Sequence, residues 1–196
     1  LMRGYAQLLR NPRFVALVFA SGVPFNGMFL YGLAAPAFLG EHLKLAPTQY
    51  AWFFVVNITG IMGGAWWSGR LAGRLAPRLQ IRRGFLIMVA ATVLNLMLNL
   101  AFTPNAWWAF WPIGLYAFGW SLMVPAVTLL ALDQAPDRRG MASSIQASVG
   151  SLANALVAGV VVPLVMHSTV ALAVASALLM AVGLLAWNWV RHRLSA

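Results

Sequence analysis

Six long apolar segments follow one another along the chain, and short polar breaks separate them. Each segment reaches or exceeds the roughly 20 residues that an α-helix needs to cross the hydrocarbon core of a bilayer. The breaks contain the glycine, proline and charged residues that commonly end helices. The pattern predicts an all-α integral membrane protein, a single domain over residues 1–196 with six transmembrane helices. Their predicted bounds are 13–38, 48–71, 84–103, 106–132, 141–166 and 169–190.

Positive charge lies almost entirely on one side of this predicted topology. Of the 13 Lys and Arg residues, all except Lys44 fall at the two chain ends or near the breaks at 72–83 and 133–140, which share the face that we call the arginine face. Short loops rich in Lys and Arg stay in the cytoplasm during membrane insertion. We therefore expect a multi-pass protein of the cell inner (plasma) membrane with both termini cytoplasmic.

Composition excludes a soluble domain. Hydrophobic residues make up 62% of the chain and charged residues only 8%, against roughly 25% charged residues in soluble domains. The net charge of +10 comes from loop arginines that form no continuous basic surface, so we expect the lipid bilayer as a partner and no nucleic acid. Because the chain has no cysteine, it has no thiolate metal site, and the sequence indicates neither a metal nor a cofactor.

The acidic and histidine residues bear on catalysis. An intramembrane protease needs a serine with a histidine, or two aspartates, at membrane depth. The acidic residues Glu41, Asp133 and Asp137 all lie near predicted loops, and so does His167. Since neither catalytic arrangement is present, we predict that the protein is not an enzyme.

The first apolar segment contains residues that a straight helix avoids: Gly22, Pro24, Gly27, Gly32 and Pro36. Proline removes a backbone hydrogen bond and glycine disfavours the helix, so this segment is predicted to kink. Carbonyl groups freed in hydrocarbon need partners, and broken helices tend to line cavities or pathways. A kink that serves only packing is the alternative. Asn26, near mid-depth, favours a cavity.

Uncharged polar side chains inside the segments are few: Asn26, Asn57, Asn95, Asn99, Gln146 and Asn154. A buried amide without a partner costs free energy, so each must form an interhelical bond or line a polar cavity. Asn95 and Asn99 share one helix face and fit the interhelical interpretation best. For the other four, both interpretations stay open.

Aromatic residues in the fourth and sixth segments suggest two roles. Tyr116, Trp120 and Met123 fall at i, i+4 and i+7 and share a helix face, which suits either ordinary packing or a pliant pocket for flat molecules. Indole rings at segment ends favour the headgroup level. These are Trp107, Trp108 and Trp111 at the start of the fourth segment and Trp187 and Trp189 at the end of the sixth.

Two loops carry a family resemblance. The loop after the second segment keeps part of the pattern Gly-x-Leu-Ala-Asp-Arg-x-Gly-Arg-Arg, and residues 133–144 read Asp-Gln-Ala-Pro-Asp-Arg-Arg-Gly-Met-Ala-Ser-Ser. Over nearly its whole length the chain resembles the major facilitator superfamily, and within it the bicyclomycin-resistance type of drug/proton antiporters. The loop departs from the pattern at Gly73, Ala76 and Pro77. The cytoplasmic loop motif that remains is Gly69, Leu71, Ala72, Arg74 and Arg78.

The resemblance implies that the chain forms spans seven to twelve of a twelve-span carrier, with a missing N-terminal six-span half as its partner. The chain begins at Leu1 rather than Met, which agrees with this expectation. In such carriers the first and fourth spans of each half line the central cavity, the second and fifth flank it, and the third and sixth face lipid. The implied substrate-binding residues are Asn26, Phe29, Tyr31, Asn57, Tyr116, Trp120, Met123, Gln146 and Asn154.

The expected function is efflux of small amphipathic or aromatic molecules by alternating access, with protons as the coupling ion. No Asp or Glu lies inside a predicted span, so we expect the proton-binding residue in the missing half. One alternative is another carrier of the superfamily, importing a sugar or an organic anion, which would need more polar or charged cavity groups. A second is a non-transporting scaffold or gene fragment.

Overall fold

The computed structural model describes residues 2–193, and all regular secondary structure in this range is helical, which confirms the all-α prediction. The α-helices are α1 (Met2–Leu9), α2 (Pro12–Gly22), α3 (Asn26–Leu33), α4 (Tyr50–Leu71), α5 (Pro77–Ala101), α6 (Ala106–Leu132), α7 (Arg139–Leu156), α8 (Val162–Val165) and α9 (Thr169–Arg191). Wider π-helical turns cover Pro36–His42 and Val157–Val161, and 3₁₀ turns cover Pro47–Gln49 and Pro136–Arg138.

Length and apolarity qualify fewer than six of these helices as membrane spans. Four described stretches pass by themselves, and the bent pair α2 and α3 passes as a fifth. The four are Pro77–Ala101, Ala106–Leu132, Pro136–Val165 and Thr169–Arg191. Helix α4 has 22 residues, but its glycines, indoles and Asn57 lower its mean hydropathy. The chain is a multi-pass membrane protein, and six crossings remain a prediction.

Helix starts follow short local signals. Asn11 accepts hydrogen bonds from the N–H groups of Arg13 and Phe14, at 3.0 and 3.4 Å, and so caps α2. Asn105 caps α6 in the same way, and Ser168 caps α9. Such side chains satisfy N–H groups that have no partner within the helix. The polar breaks therefore fix where the apolar helices begin.

The first span is bent, as the sequence predicts. The axes of α2 and α3 differ by 41° across the break at residues 23–25, which contains Pro24. Pro24 has no N–H, so the α-helical ladder cannot continue through it. Beyond the break, Asn26 and Gly27 donate to carbonyls three residues back rather than four, those of Val23 and Pro24. The bend turns α3 away from the axis of α2.

Helix α6 is the centre of the bundle and lies between α4 and α5. Helix α9 packs on α2 and α5, and α7 packs mainly on α2. The largest fully buried side chains come from several of these helices and include Leu17, Tyr31, Phe53, Met88, Met123 and Leu172. This packing leaves much of α4 and α7 without a neighbouring helix.

Two sequence interpretations of single residues are decided by this packing. Asn95 on α5 donates to the hydroxyl of Tyr31 on α3 at 2.8 Å, so its predicted interhelical bond is confirmed. The interhelical interpretation is wrong for Asn99, whose amide donates to Asn95 on the same helix. Trp107 and Trp189 are exposed, as expected at the headgroup level, but Trp187 is only 3% exposed. Neighbouring helices cover the Trp187 ring, and its position at the headgroup level, like that of the other indole rings, stays a prediction.

Helices α4 and α6 approach closely through glycines. A Cβ atom at Gly60 would overlap the carbonyl oxygen of Gly114, and one at Gly64 would overlap the carbonyl oxygen of Phe118. Glycines four residues apart let two membrane helices come into backbone contact. Packing at these positions therefore fixes the distance between α4 and α6.

We expect Gly64→Ala to lower the free energy of unfolding by about 1–3 kcal/mol, because the added methyl group must push the two backbones apart. The measurement is the thermal midpoint of the purified protein in detergent. Gly69→Ala, on the same helix, is the matched control, since no atom lies within 4 Å of its added Cβ. Equal midpoints for the two variants would contradict the close-packing argument.

Candidate binding site

The bend in the first span exposes carbonyl groups to side-chain donors from α6. The indole Nε1–H of Trp120 donates to the carbonyl oxygen of Ser21 at 3.0 Å, and the hydroxyl of Tyr116 donates to that of Pro24 at 2.7 Å. Trp120 and Tyr116 are one helical turn apart, so both reach the same break. The Ser21 carbonyl thus obtains its partner from a neighbouring helix, as predicted, and the Pro24 carbonyl accepts a second bond beside that from the Gly27 N–H.

Two further side chains donate hydrogen bonds to carbonyl groups near the break. Ser176 on α9 donates to the carbonyl oxygen of Gly27 at 2.6 Å, and the Asn26 side-chain amide donates to that of Gly22 at 3.4 Å. The Asn26 amide oxygen is buried and finds no donor among the described residues. The bent segment is therefore held from α6 and α9 but keeps one unused acceptor.

A second polar cluster ties α7 to the first span. The Gln146 amide donates to the hydroxyl oxygens of Ser21 and Thr128, at 2.9 and 3.0 Å. Ser21 in turn donates to the carbonyl oxygen of Val18 at 3.0 Å. Ser21 thus bonds to side chains of both α6 and α7, so the first, fourth and fifth predicted spans meet at one residue.

Aromatic rings continue from this cluster along α3. The ring centroids of Trp120 and Phe25 lie 5.0 Å apart with a 53° tilt, and those of Phe25 and Phe29 lie 5.1 Å apart and are stacked. Such offset pairs stabilise one another beyond the area that they bury. The rings of Trp120, Phe25 and Phe29 therefore form a row that begins beside Ser21 and ends at the space between α3 and α4.

That space is a groove of about 300 Å³, which we call the aromatic groove. Its walls are almost wholly apolar and include Phe25, Phe29, Phe54, Ile58 and Ile61, with Asn57 as its one amide side chain. The Asn57 amide oxygen is buried and has no hydrogen-bond partner within residues 2–193. The groove therefore offers aromatic faces and one amide side chain, whose oxygen has no hydrogen-bond partner among the described residues.

The structure brings together part of the predicted substrate-binding set. Phe29 and Asn57 line the aromatic groove, and Trp120 packs against Phe25, which also lines it. Gln146 and Trp120 both donate hydrogen bonds to Ser21. Asn154, two turns beyond Gln146 on α7, has a buried amide oxygen for which the described residues supply no donor.

The other predicted residues lie behind the groove. Tyr31 is 2% exposed, Tyr116 3% and Met123 0%, and a Cβ at Gly84 of α5 would meet the Met123 side chain. Met123 packs against α5, whereas Tyr116 bonds to the carbonyl oxygen of Pro24 at the break in the first span. In this conformation Tyr31, Tyr116 and Met123 pack within the protein rather than line the groove, because their side chains are buried against other residues.

Sequence reasoning missed several residues of the site. Ser21, Phe25, Thr128 and Ser176 hold or line it, yet none stood out from the apolar segments. A usable signal was present for Ser21 and Phe25, since they flank Pro24 and must adjust to the lost backbone bond. For Ser176 the signal was a lone hydroxyl in an aliphatic helix, which needs an interhelical acceptor.

The cytoplasmic loop motif forms the turn from α4 to α5. Gly69 and Leu71 end α4, Ala72 and Arg74 lie in the turn, and Arg78 belongs to the first turn of α5. Gly73 has φ +74°, a conformation that favours glycine, which gives a local reason for the departure from the family pattern there. The turn is also fastened by Gln80, which donates to the hydroxyl oxygen of Ser68 at 2.7 Å and to the carbonyl oxygen of Leu122 at 2.8 Å.

An all-helical membrane bundle in which a broken helix borders a ligand-sized groove has the features of a membrane transporter. The family model described as the Major Facilitator Superfamily matches residues 1–158, and the chain belongs to that superfamily. None of the curated proteins compared with the chain matches it. Members of the superfamily are transporters rather than enzymes, which agrees with the absence of a catalytic arrangement from the sequence.

We expect Trp120→Phe to lower the free energy of unfolding by about 1–3 kcal/mol, because the buried carbonyl of Ser21 then loses its donor. The measurement is again the thermal midpoint in detergent. Trp108→Phe on the same helix is the control, since its partly buried indole N–H makes no hydrogen bond to a described residue. If both variants melt together, the indole N–H does not stabilise the bend.

Proposed function

We propose that this chain is one six-span half, spans seven to twelve, of a twelve-span carrier of the bicyclomycin-resistance type. The carrier exports small amphipathic or aromatic molecules in exchange for protons. The observation that carries the proposal is the aromatic groove, where stacked rings and the free acceptor of Asn57 lie beside the bent first span. Alternating access then exposes this groove to each side of the membrane in turn.

The groove supports a substrate class. Its volume of about 300 Å³ is at the lower end of small-molecule sites, which are mostly apolar with a few polar groups. Of the three amide oxygens without a partner among the described residues, those of Asn26, Asn57 and Asn154, only that of Asn57 belongs to a residue that lines the groove. The aromatic walls and the Asn57 amide suit a ligand with an aromatic ring and a hydrogen-bonding group, whereas the described lining of the groove has no cationic side chain that would pair with an organic anion.

The exposed helix faces support a missing half. Of the apolar stretch within Pro136–Val165, 11% is buried inside the described protein, against 50% for α6. Helix α7 presents exposed serines at Ser144, Ser148 and Ser151, which lipid tails cannot hydrogen-bond. Trp52 and Met62 on α4 are each 66% exposed. A second six-span half would cover both helices and close the groove.

Proton coupling is assigned to that second half. Asn26, Asn57 and Gln146 do not titrate, and the sequence has no carboxylate within a predicted span. A proton-driven carrier needs a group in the pathway that binds and releases a proton, and an intramembrane carboxylate is the usual one. This chain then supplies substrate contacts, and its partner half supplies the coupling site.

The proposed orientation predicts the result of reporter fusions. Reporters placed after Arg78, Arg139 and Arg193 should report the cytoplasm, and a reporter after Lys44 should report the opposite side, because arginine-rich loops are retained inside. The measurement is a paired phosphatase and fluorescent-protein assay. A cytoplasmic signal at Lys44 would overturn the six-span topology.

The substrate site predicts a change of transport selectivity. In the twelve-span carrier, Phe29→Ala should weaken the apparent affinity for aromatic cationic dyes about five- to tenfold, since a ring pair contributes roughly 1 kcal/mol. Asn57→Leu should weaken export of dyes that carry a donor more than export of dyes without one. Phe102→Ala is the control, because Phe102 is 61% exposed and lies at the end of α5, away from the groove.

The same assay, made in proteoliposomes, tests the half-carrier proposal. Residues 1–196 alone should move no dye against a pH gradient, and joining a six-span partner half should restore transport. Equal loss of all dyes together with loss of protein in Phe29→Ala would favour a packing role for the ring. Uphill transport by the isolated chain would refute the half-carrier proposal.

A further inference from the structure

A second groove lies at the arginine face, between the start of α5 and the end of α9. Its volume is about 430 Å³, and we call it the basic groove. Its lining residues are Arg78, Leu79, Arg82, Trp187, Arg191 and His192. The aromatic groove lies between other helices, α3 and α4, so the basic groove plays no part in the proposed transport site.

Within the part of the chain that the structure describes, no carboxylate side chain forms an ion pair with Arg82 or Arg191 of this groove. The sequence has three acidic residues, and none is in α5 or α9. Asp133 pairs with Arg139 at 2.9 Å, Asp137 lies in the same loop, and Glu41 lies in the π-helical turn that follows α3. Arg82 and Arg191 are both exposed, so their positive charge is available to a ligand.

The geometry of the groove favours an anion with several oxygen acceptors. Arg191 donates through Nε to Nε2 of His192 at 3.2 Å, which leaves the other N–H groups of its guanidinium for a ligand. The guanidinium groups of Arg82 and Arg191 suit phosphate oxygens, because arginine can donate two hydrogen bonds to one phosphate.

Exposed aliphatic side chains lie below the charged groups. Leu86 and Val93 follow Arg82 by four and eleven residues on α5, and Leu185 and Leu178 precede His192 by seven and fourteen on α9. Each pair therefore shares a helix face with the charged or polar group above it. These four side chains are 50–66% exposed. They form two apolar strips running from the groove towards the membrane interior.

We propose that the basic groove binds the phosphate of an anionic phospholipid, with the acyl chains along the two strips. A soluble phosphate compound would match the arginines but would leave the strips unused. Two nearby cation–π pairs fit headgroup depth at this face. The guanidinium of Arg193 lies 4.0 Å from the ring centroid of Trp189, and that of Arg70 lies 4.0 Å from that of Trp66.

The test uses the full chain in nanodiscs of phosphatidylcholine, titrated with phosphatidylglycerol and followed by native mass spectrometry. Removing one arginine near a bilayer surface weakens anionic-lipid binding about fivefold, so Arg82→Gln with Arg191→Gln should weaken it about 25-fold. Arg74→Gln with Arg83→Gln removes the same charge at the same face, outside the groove lining. This control also lowers the general attraction of the surface for anionic lipid, but it should weaken binding clearly less than the groove variant, because it keeps the two guanidinium groups that contact the phosphate. Equal weakening of both double variants would overturn the proposal.

Two further measurements separate the lipid site from its alternatives. Arg82→Lys with Arg191→Lys preserves charge and should retain most of the binding, which separates lost charge from lost folding. Millimolar inorganic phosphate or glycerol phosphate should fail to displace the lipid, because neither contacts the aliphatic strips. Displacement at that level would assign the groove to a soluble phosphate compound, and equal binding of phosphatidylcholine would remove the anionic preference. Either result would overturn the lipid site.

Discussion

The hydrogen bonds at the bend of the first span constrain the rest of the bundle. In hydrocarbon no water can satisfy a freed carbonyl, so a helix broken at Pro24 is stable only if neighbours supply donors. Trp120 and Tyr116 do so from α6, which fixes the rotation of α6 against the first span. The same bonds set the position of Phe25 and hence of the ring stack along the aromatic groove. The site is therefore a consequence of how the break is satisfied.

The sequence allowed the bend to be predicted but not its donors. A proline in an apolar segment removes one backbone hydrogen bond of the helix, whatever the helix packs against. Which side chain replaces that bond depends on helix rotation. Trp120 and Met123 are three residues apart, yet one meets Ser21 and the other is buried against α5. Ser21 could not be predicted for the same reason, because it bonds to Trp120 and Gln146, which belong to two other helices.

In helix α4, the residues that pack against α6 and line the groove are also the residues that lower its mean hydropathy. Its mean hydropathy is lowered by residues with specific roles, since Gly60 and Gly64 bring it against α6 and Asn57 faces the aromatic groove. Replacing them by leucine would raise the mean hydropathy of α4, but the close approach to α6 and the amide in the groove would both be lost. A span count based on apolarity alone leaves out a helix that forms one wall of the groove, and its crossing of the membrane stays a prediction.

Polar groups in the interior and charged groups at the ends have separate uses in this chain. Within the described spans the unpaired buried atoms are the amide oxygens of Asn26, Asn57 and Asn154 and the hydroxyl of Thr92, all neutral. Neutral acceptors can orient a ligand at modest desolvation cost, but they cannot store a proton for coupling. The guanidinium groups of Arg82 and Arg191 lie at the arginine face, where they are hydrated and can reach phosphates. Under the proposed function, substrate recognition and membrane anchoring use different parts of the helices, and proton coupling requires a residue that this sequence does not contain within its predicted spans.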